Sequence, residues 1–145
     1  MRCPGPALRA HAWLVRGNIH AWRNRPEAAI EATERARRLS PFDPLAFRYA
    51  GNIAIAHLAA QRFEQAIEWA DRALHDQPRV VANMRVKIAA CAHLGRLDEA
   101  RAELSRMLAI DPKLTIAGFR DLANSAPELL ELYIAGLRLA GLPEQ

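Results

Sequence analysis

The sequence predicts an all-α fold in which helical hairpins stack one on the next, with a different helix pair closing the C-terminal end. Three times an alanine is followed twelve residues later by a proline: Ala29 and Pro41, Ala66 and Pro78, Ala100 and Pro112. The prolines stand 37 and then 34 residues apart, a period that means one supersecondary unit copied along the chain. The apolar periodicity is helical throughout, no segment alternates Val, Ile and Thr as a strand would, and the punctuating residues fall between the periodic stretches.

The elements follow in order. The first pair is expected over Pro6–Trp22 and Pro26–Leu39, with Asn24 and Glu27 at capping-box spacing between them. Asp43-Pro44 reads as an N-cap followed by proline at the first helical position, opening a helix to about Ala60. Helices over Phe63–His75, Arg79–Leu94 and Leu97–Ala109 complete the copied units. Two more, about Leu114–Ala123 and Pro127–Ala140, depart from the repeat; Ser125 and Glu128 have capping-box spacing, and Gly141 and Pro143 mark a stop. The last unit of a solenoid turns a different face to water, so this pair is expected to cap it. In the final helix, Leu129, Leu130, Leu132, Tyr133, Ile134, Leu137 and Leu139 spread around most of the circumference. Either the helix packs into the groove between the preceding helices, or it exposes an apolar strip for dimerisation or for docking a neighbouring domain.

The residue types inside each unit have a physical reason. Two antiparallel helices approach closely only where small side chains meet, and Gly17, Ala29, Ala54, Ala66 and Ala100 supply that clearance. Trp13, Phe63, Ile67 and Leu97 fill the space beside them. Ala36 and Ala73 follow Ala29 and Ala66 by seven residues, whereas the third copy has Met107 there and Ile88 at a position occupied by Gly17 and Ala54 in the others. Pro41, Pro78 and Pro112 lack a backbone donor and end each unit, and Gly95 precedes the last hairpin's second helix.

These positions resemble the tetratricopeptide repeat, whose first helix carries a large residue and then Gly or Ala, and whose second carries two small residues before a terminal proline. The resemblance covers roughly Ala7 to Pro112. It implies a right-handed α-solenoid of three hairpins, about 7–41, 44–78 and 79–112, with a capping pair over 113–145, all one domain. It further implies a non-catalytic module that binds a peptide or protein segment in its concave groove. Ser40-Pro41-Phe42-Asp43-Pro44, His93-Leu94-Gly95-Arg96-Leu97-Asp98-Glu99-Ala100, Pro127-Glu128-Leu129-Leu130 and Gly136 to Glu144 carry a narrower likeness. They are similar to the C-terminal tetratricopeptide region of bacterial class III adenylate/guanylate cyclases and winged-helix transcriptional regulators. That likeness implies a regulatory or dimerisation module of a bacterial signalling protein.

Composition agrees and excludes several classes. Hydrophobic residues make up 51% of the 145 and aromatics only 6%, as expected of alanine-rich packed helices. No stretch of 18 uncharged apolar residues offers a membrane span, and the N-terminus, with Pro4, Pro6, Arg9, His11 and Arg16, has no apolar core of a signal peptide. Two cysteines, Cys3 and Cys91, make no disulfide framework, so a cytoplasmic location is expected. His11, His20, His57, His75 and His93 lie far apart, and neither a His-Glu-x-x-His nor a Cys-x-x-Cys motif occurs, so neither metal, cofactor nor enzymatic activity is expected. His20 and His57 occupy equivalent repeat positions and are expected as satisfied, partly buried side chains.

Charge is uneven. Up to Arg48 nine basic residues face four acidic ones, +5, whereas from Tyr49 onward eleven face twelve, −1. Arg35, Arg37 and Arg38 are the densest cluster, but no aromatic interleaves with them in sequence and Glu31 stands one turn before Arg35, so a solvated face is expected rather than nucleic-acid binding.

In the repeat family the first helix of each hairpin lines the groove. Copy by copy this points to His11, Leu14, Asn18 and Trp22, to Arg48, Asn52 and Ile55, and to Arg85, Ala89 and His93. Asn18, Trp22, Arg48, Asn52, Ile55 and Arg85 form the candidate peptide groove: the asparagines for main-chain hydrogen bonds, the arginines for a carboxylate. Leu14 stands where the family's carboxylate clamp would have lysine. The expected partner is a protein or peptide, with a neighbouring signalling domain or a second copy at the C-terminal helix as further partners.

Overall fold

The computed structural model describes residues 5–145, so Cys3 and Pro4 lie outside it. Eight helices run through the described residues, with no strand among them: α1 Pro6–Trp22, α2 Pro26–Leu39, α3 Phe47–Ala59, α4 Phe63–Asp76, α5 Val81–His93, α6 Leu97–Ile110, α7 Ile116–Leu122 and α8 Pro127–Ala140. They form an α-solenoid: α1–α2, α3–α4 and α5–α6 are antiparallel hairpins, and each second helix also packs on the first helix of the next pair. None of these helices is long and apolar enough to cross a membrane.

Small residues set the crossings. Ala29, Ala36, Ala54, Ala66, Ala73 and Ala100 are fully buried. A Cβ on Gly17 would sit 2.3 Å from Thr33 Oγ1 and 3.2 Å from the Ala29 carbonyl oxygen, so α1 and α2 touch where only hydrogen fits. The third hairpin fills its crossing differently, with the full side chains of Ile88 and Met107 both enclosed.

The three hairpin turns share one backbone device. Asn24 (φ 59°), Gln61 (φ 60°) and Gly95 (φ 79°) each adopt the left-handed conformation. The next residue's amide then donates five residues back, Arg25 to His20, Arg62 to His57 and Arg96 to Cys91, at 2.8–2.9 Å. This closes the preceding helix as a Schellman motif and leaves an arginine at the cap of the following one. The expected capping box at Asn24 is therefore absent: Asn24 serves the end of α1, and Arg25 stands at the N-cap of α2 without a side-chain bond.

The second expected capping box fails as well. Ala126 caps α8, and the Ser125 hydroxyl turns to its neighbour's carbonyl. A side-chain cap that the spacing did not reveal exists at α7, where Thr115 Oγ1 accepts from the Gly118 amide at 3.0 Å. The third helix begins at Phe47 rather than Pro44. Asp43 does accept an amide bond two residues on, from Leu45 at 2.8 Å, but residues 44–46 form tight i→i−3 turns before the helix proper. Tyr49 fixes that corner by donating to Asp43 Oδ2 at 3.2 Å. Gly141 (φ 103°) ends α8 as expected.

The cap does not simply extend the stack. α8 packs mainly on α5, and a Cβ on Gly136 would lie 2.7 Å from Ala89 Cα. Its Leu129, Tyr133, Ile134 and Leu137 are enclosed in the main core, Leu130 and Leu132 are half-buried against it, and only Leu139 of the seven is exposed. At its start the Ala126 amide donates to the Trp22 carbonyl at 2.8 Å, so α8 spans from the end of α1 to α5. The segment after it returns to α7, whose Ile116 and Ala117 amides donate to the carbonyls of Pro143 and Glu144.

Candidate functional site

The first helices of the hairpins pack side by side along the stack, and α8 of the cap covers part of α5. Ala89 is covered by α8 at Gly136, and His93 meets the Leu132 carbonyl at 2.7 Å while its ring stacks on Phe63. What stays open is a cleft of about 510 Å³, with Asn18, Trp22 and Arg85 on the solenoid side and Phe119, Leu122 and Asn124 on the cap side. That size suits one ligand group of modest bulk.

Three of the six groove candidates meet at this cleft: Asn18, Trp22 and Arg85. Trp22 lies parallel to Tyr133, centroids 5.5 Å apart, and Phe119 tilts against the same tyrosine at 5.3 Å. Asn18 donates from Nδ2 to Asn52 Oδ1 at 3.0 Å, and Asn52 in turn donates to the Leu14 carbonyl at 2.9 Å. Asn52 is thus a buried tie between α3 and α1 that orients Asn18, rather than a free donor in the groove. Ile55 is 5% exposed and belongs to the core behind the cleft wall. Arg48 is half-buried and lies away from the cleft.

Arg85 sets the electrostatics. Its guanidinium sits 4.8 Å from the centre of the Phe119 ring and is largely buried, and burial lowers its pKa below the ordinary arginine value. No carboxylate of the described residues lies within ion-pair distance. By contrast Lys87, two residues further along α5 and therefore on its opposite side, contacts Asp71 at 2.8 Å and the buried Glu103 at 3.8 Å. A buried cation without a counter-charge is costly to keep, and an anion placed beside it recovers that cost.

Burial pushes the Cys91 thiol up from its ordinary pKa. Among the described residues no group of three or more His, Cys, Asp or Glu is arranged to hold a metal. His57 is satisfied, its Nδ1 accepting from Arg62 Nε at 2.9 Å, but the equivalent His20 has a buried Nδ1 without a partner. Phe119, Leu122 and Asn124 escaped the sequence reading because α7 reaches the cleft only through tertiary folding. Gly136, a lone glycine inside an apolar helix, was the available signal for a close crossing of α8.

Helical hairpins that build a concave cleft lined by aromatic and amide groups, with an uncompensated cation, define a repeat protein equipped to bind. This chain belongs to the tetratricopeptide repeat family, whose model matches residues 6–44, 14–81 and 52–114. No curated protein matches the sequence significantly. Among solved structures it is similar to the second TPR domain of human RPAP3, in complex with the HSP70 peptide SGPTIEEVD (22% identity, 92% of this chain and 96% of that one, TM-score 0.65). It is also similar to the Arabidopsis OM64 TPR domain (19% identity, 92% and 98%, TM-score 0.66). A third is the Saccharomyces cerevisiae Hsp90 co-chaperone Cns1 (20%, TM-score 0.69), where the match covers 94% of this chain and 40% of that one. At these identities the likeness is one of fold.

Proposed function

We propose that the chain is a single-domain, non-catalytic, cytoplasmic interaction module that takes a segment of a partner protein end-on into the cleft between α1, α5 and α7. The carrying observation is Arg85, largely buried, without a carboxylate partner, and lining the 510 Å³ opening. Trp22 and Phe119 receive the apolar body of the incoming group, Asn18 bonds its main chain, and Arg85 takes its carboxylate. Arg48 contributes outside the cleft, along the approach from α3. The neighbour solved with a bound peptide supports a peptide as the kind of ligand.

Charge-assisted hydrogen bonds contribute about 1.5–3 kcal/mol each, so Arg85→Ala should weaken the partner at least about tenfold, and Arg48→Ala less. Arg138, which pairs with Glu144 on the far side of the cap, is the control. If Arg138→Ala reduces affinity and Arg85→Ala does not, the binding face is elsewhere.

The reading as a regulatory module of a bacterial cyclase or transcriptional regulator rests on the segments Ser40–Pro44, His93–Ala100, Pro127–Leu130 and Gly136–Glu144. Within the fold these are the corner before α3, the third hairpin's turn, and α8 with the residues after it. Sedimentation of the pure chain over a hundredfold concentration range tests the dimerisation part, and an unchanging monomer would remove it.

A further inference from the structure

The outer face of the first hairpin carries a second feature, independent of the cleft. Trp13 projects from α1 between two arginines, with the Arg35 guanidinium 4.4 Å from its ring centre and that of Arg16 at 5.1 Å. Beside it a hollow of about 340 Å³ is lined by Arg9, Trp13, Arg35, Arg38 and Leu39. By sequence alone Glu31 stands at pairing distance from Arg35, and no aromatic interleaves with these arginines. Folding reverses both expectations. Arg35 makes no ion pair with Glu31 and lies on Trp13 instead, an aromatic brought in from the other helix.

The chain contains its own comparison. At Trp69, Arg72 stacks at 4.3 Å and its Nη2 donates to Glu68 at 2.8 Å, so the same arginine-on-indole arrangement is completed by a carboxylate. At Trp13, among the described residues, Arg9, Arg16, Arg35 and Arg38 have no ion-pair partner, although Arg37 beside them pairs with Glu34 at 2.8 Å. All four are exposed. A guanidinium held over an indole has part of its side-chain freedom already spent and leaves N–H groups for a carboxylate.

We propose that Arg9, Arg16, Arg35 and Arg38 around Trp13 form a second docking surface, for an acidic segment of a partner protein. Arg35 and Arg38, three residues apart on α2, take two carboxylates of that segment, and Trp13 with Leu39 supports its backbone. A nucleic acid fits less well. The ring of Trp13 is already engaged by its own arginines and offers no platform for a base, and the basic groups surround one hollow rather than a track.

Isothermal titration with decaglutamate at low ionic strength tests this. Binding is expected to the wild type, to weaken at least about tenfold in Arg35→Gln/Arg38→Gln, and to fall as salt screens the charges. It should be unchanged in Arg72→Gln/Arg101→Gln, which removes the same charge elsewhere. No binding to the wild type, or equal loss in the two double variants, would overturn the proposal. Loss confined to Arg85→Gln would also overturn it while leaving the cleft reading in place. A ten-nucleotide oligothymidine binding more tightly than decaglutamate, with the same variants sensitive, would replace the acidic segment by nucleic acid.

Discussion

Single side chains decide how closely the helices approach and where charge is left unpaired. Gly17 was legible as a clearance residue because it recurs at a repeat position, but its contact, Thr33, was not, since Thr33 carries no periodic signal. Gly17→Ala should destabilise by roughly 1–3 kcal/mol, and combining it with Thr33→Ala, which removes the blocking Oγ1, should cost less than the sum of the single changes. Thermal melts of the three variants form the cycle; strict additivity would show that the two residues do not conflict. Ala66, enclosed at its crossing, should lose a similar roughly 1–3 kcal/mol on change to Leu. Arg85 was legible as a groove residue but not as a half-buried cation without a carboxylate partner. Arg85→Met should raise the melting midpoint by about 2–4 °C while weakening the ligand at least about tenfold, separating the cost of the site from its use. His57 has its pKa lowered by burial first and by the Arg62 charge second. The fold therefore favours the neutral ring: its contribution is complete above the unfolded pKa, near about 6.5, and is lost as pH falls through the folded value. Stability should decline from pH 7 towards pH 5, and His57→Gln should flatten that decline.

At the scale of elements, most helix spans were readable from periodicity and proline spacing, whereas their ends were not. The misread capping boxes share a cause. Residue types at caps were visible, but the left-handed residue that closes each hairpin is a glycine only once, at Gly95; Asn24 tolerates the same backbone state, and Gln61 adopts it against its intrinsic preference. The strain makes a directed expectation possible. Gln61→Gly should stabilise by roughly 1 kcal/mol, and Gly95→Ala should destabilise by about as much even though open space surrounds that position. A melting midpoint unmoved by both changes would mean the turns do not hold these angles in solution. The cap helix was read as a choice between burial and exposure, and what decides it is a contact distant in sequence. Gly136 meets backbone atoms of Ala89 that cannot move aside as a flexible side chain would, so Gly136→Ala should loosen α8 on α5 and raise amide exchange along α8 before that of α2.

In the whole molecule, repeat spacing made the solenoid legible because it is built from neighbour contacts, and neighbour contacts leave a period in the sequence. The bridge from α1 to α8 leaves none: Trp22 and Tyr133 belong to segments that share no pattern, and nothing in either predicts that they stack. The cleft is a product of that bridge, which explains why the sequence located three of its residues on the solenoid and none on the cap. A plain array of repeats behaves as a spring. Each hairpin adjusts slightly against the next, and the small rotations add up to a wide opening or closing of the concave side. Here α8 runs as a chord across the arc, seated on α5 at one end and bonded to Trp22 at the other. An arc with a fixed chord can no longer flex freely, so the spring becomes a frame. Its opening keeps a set width, where a plain array would widen and narrow with each small rotation of its hairpins.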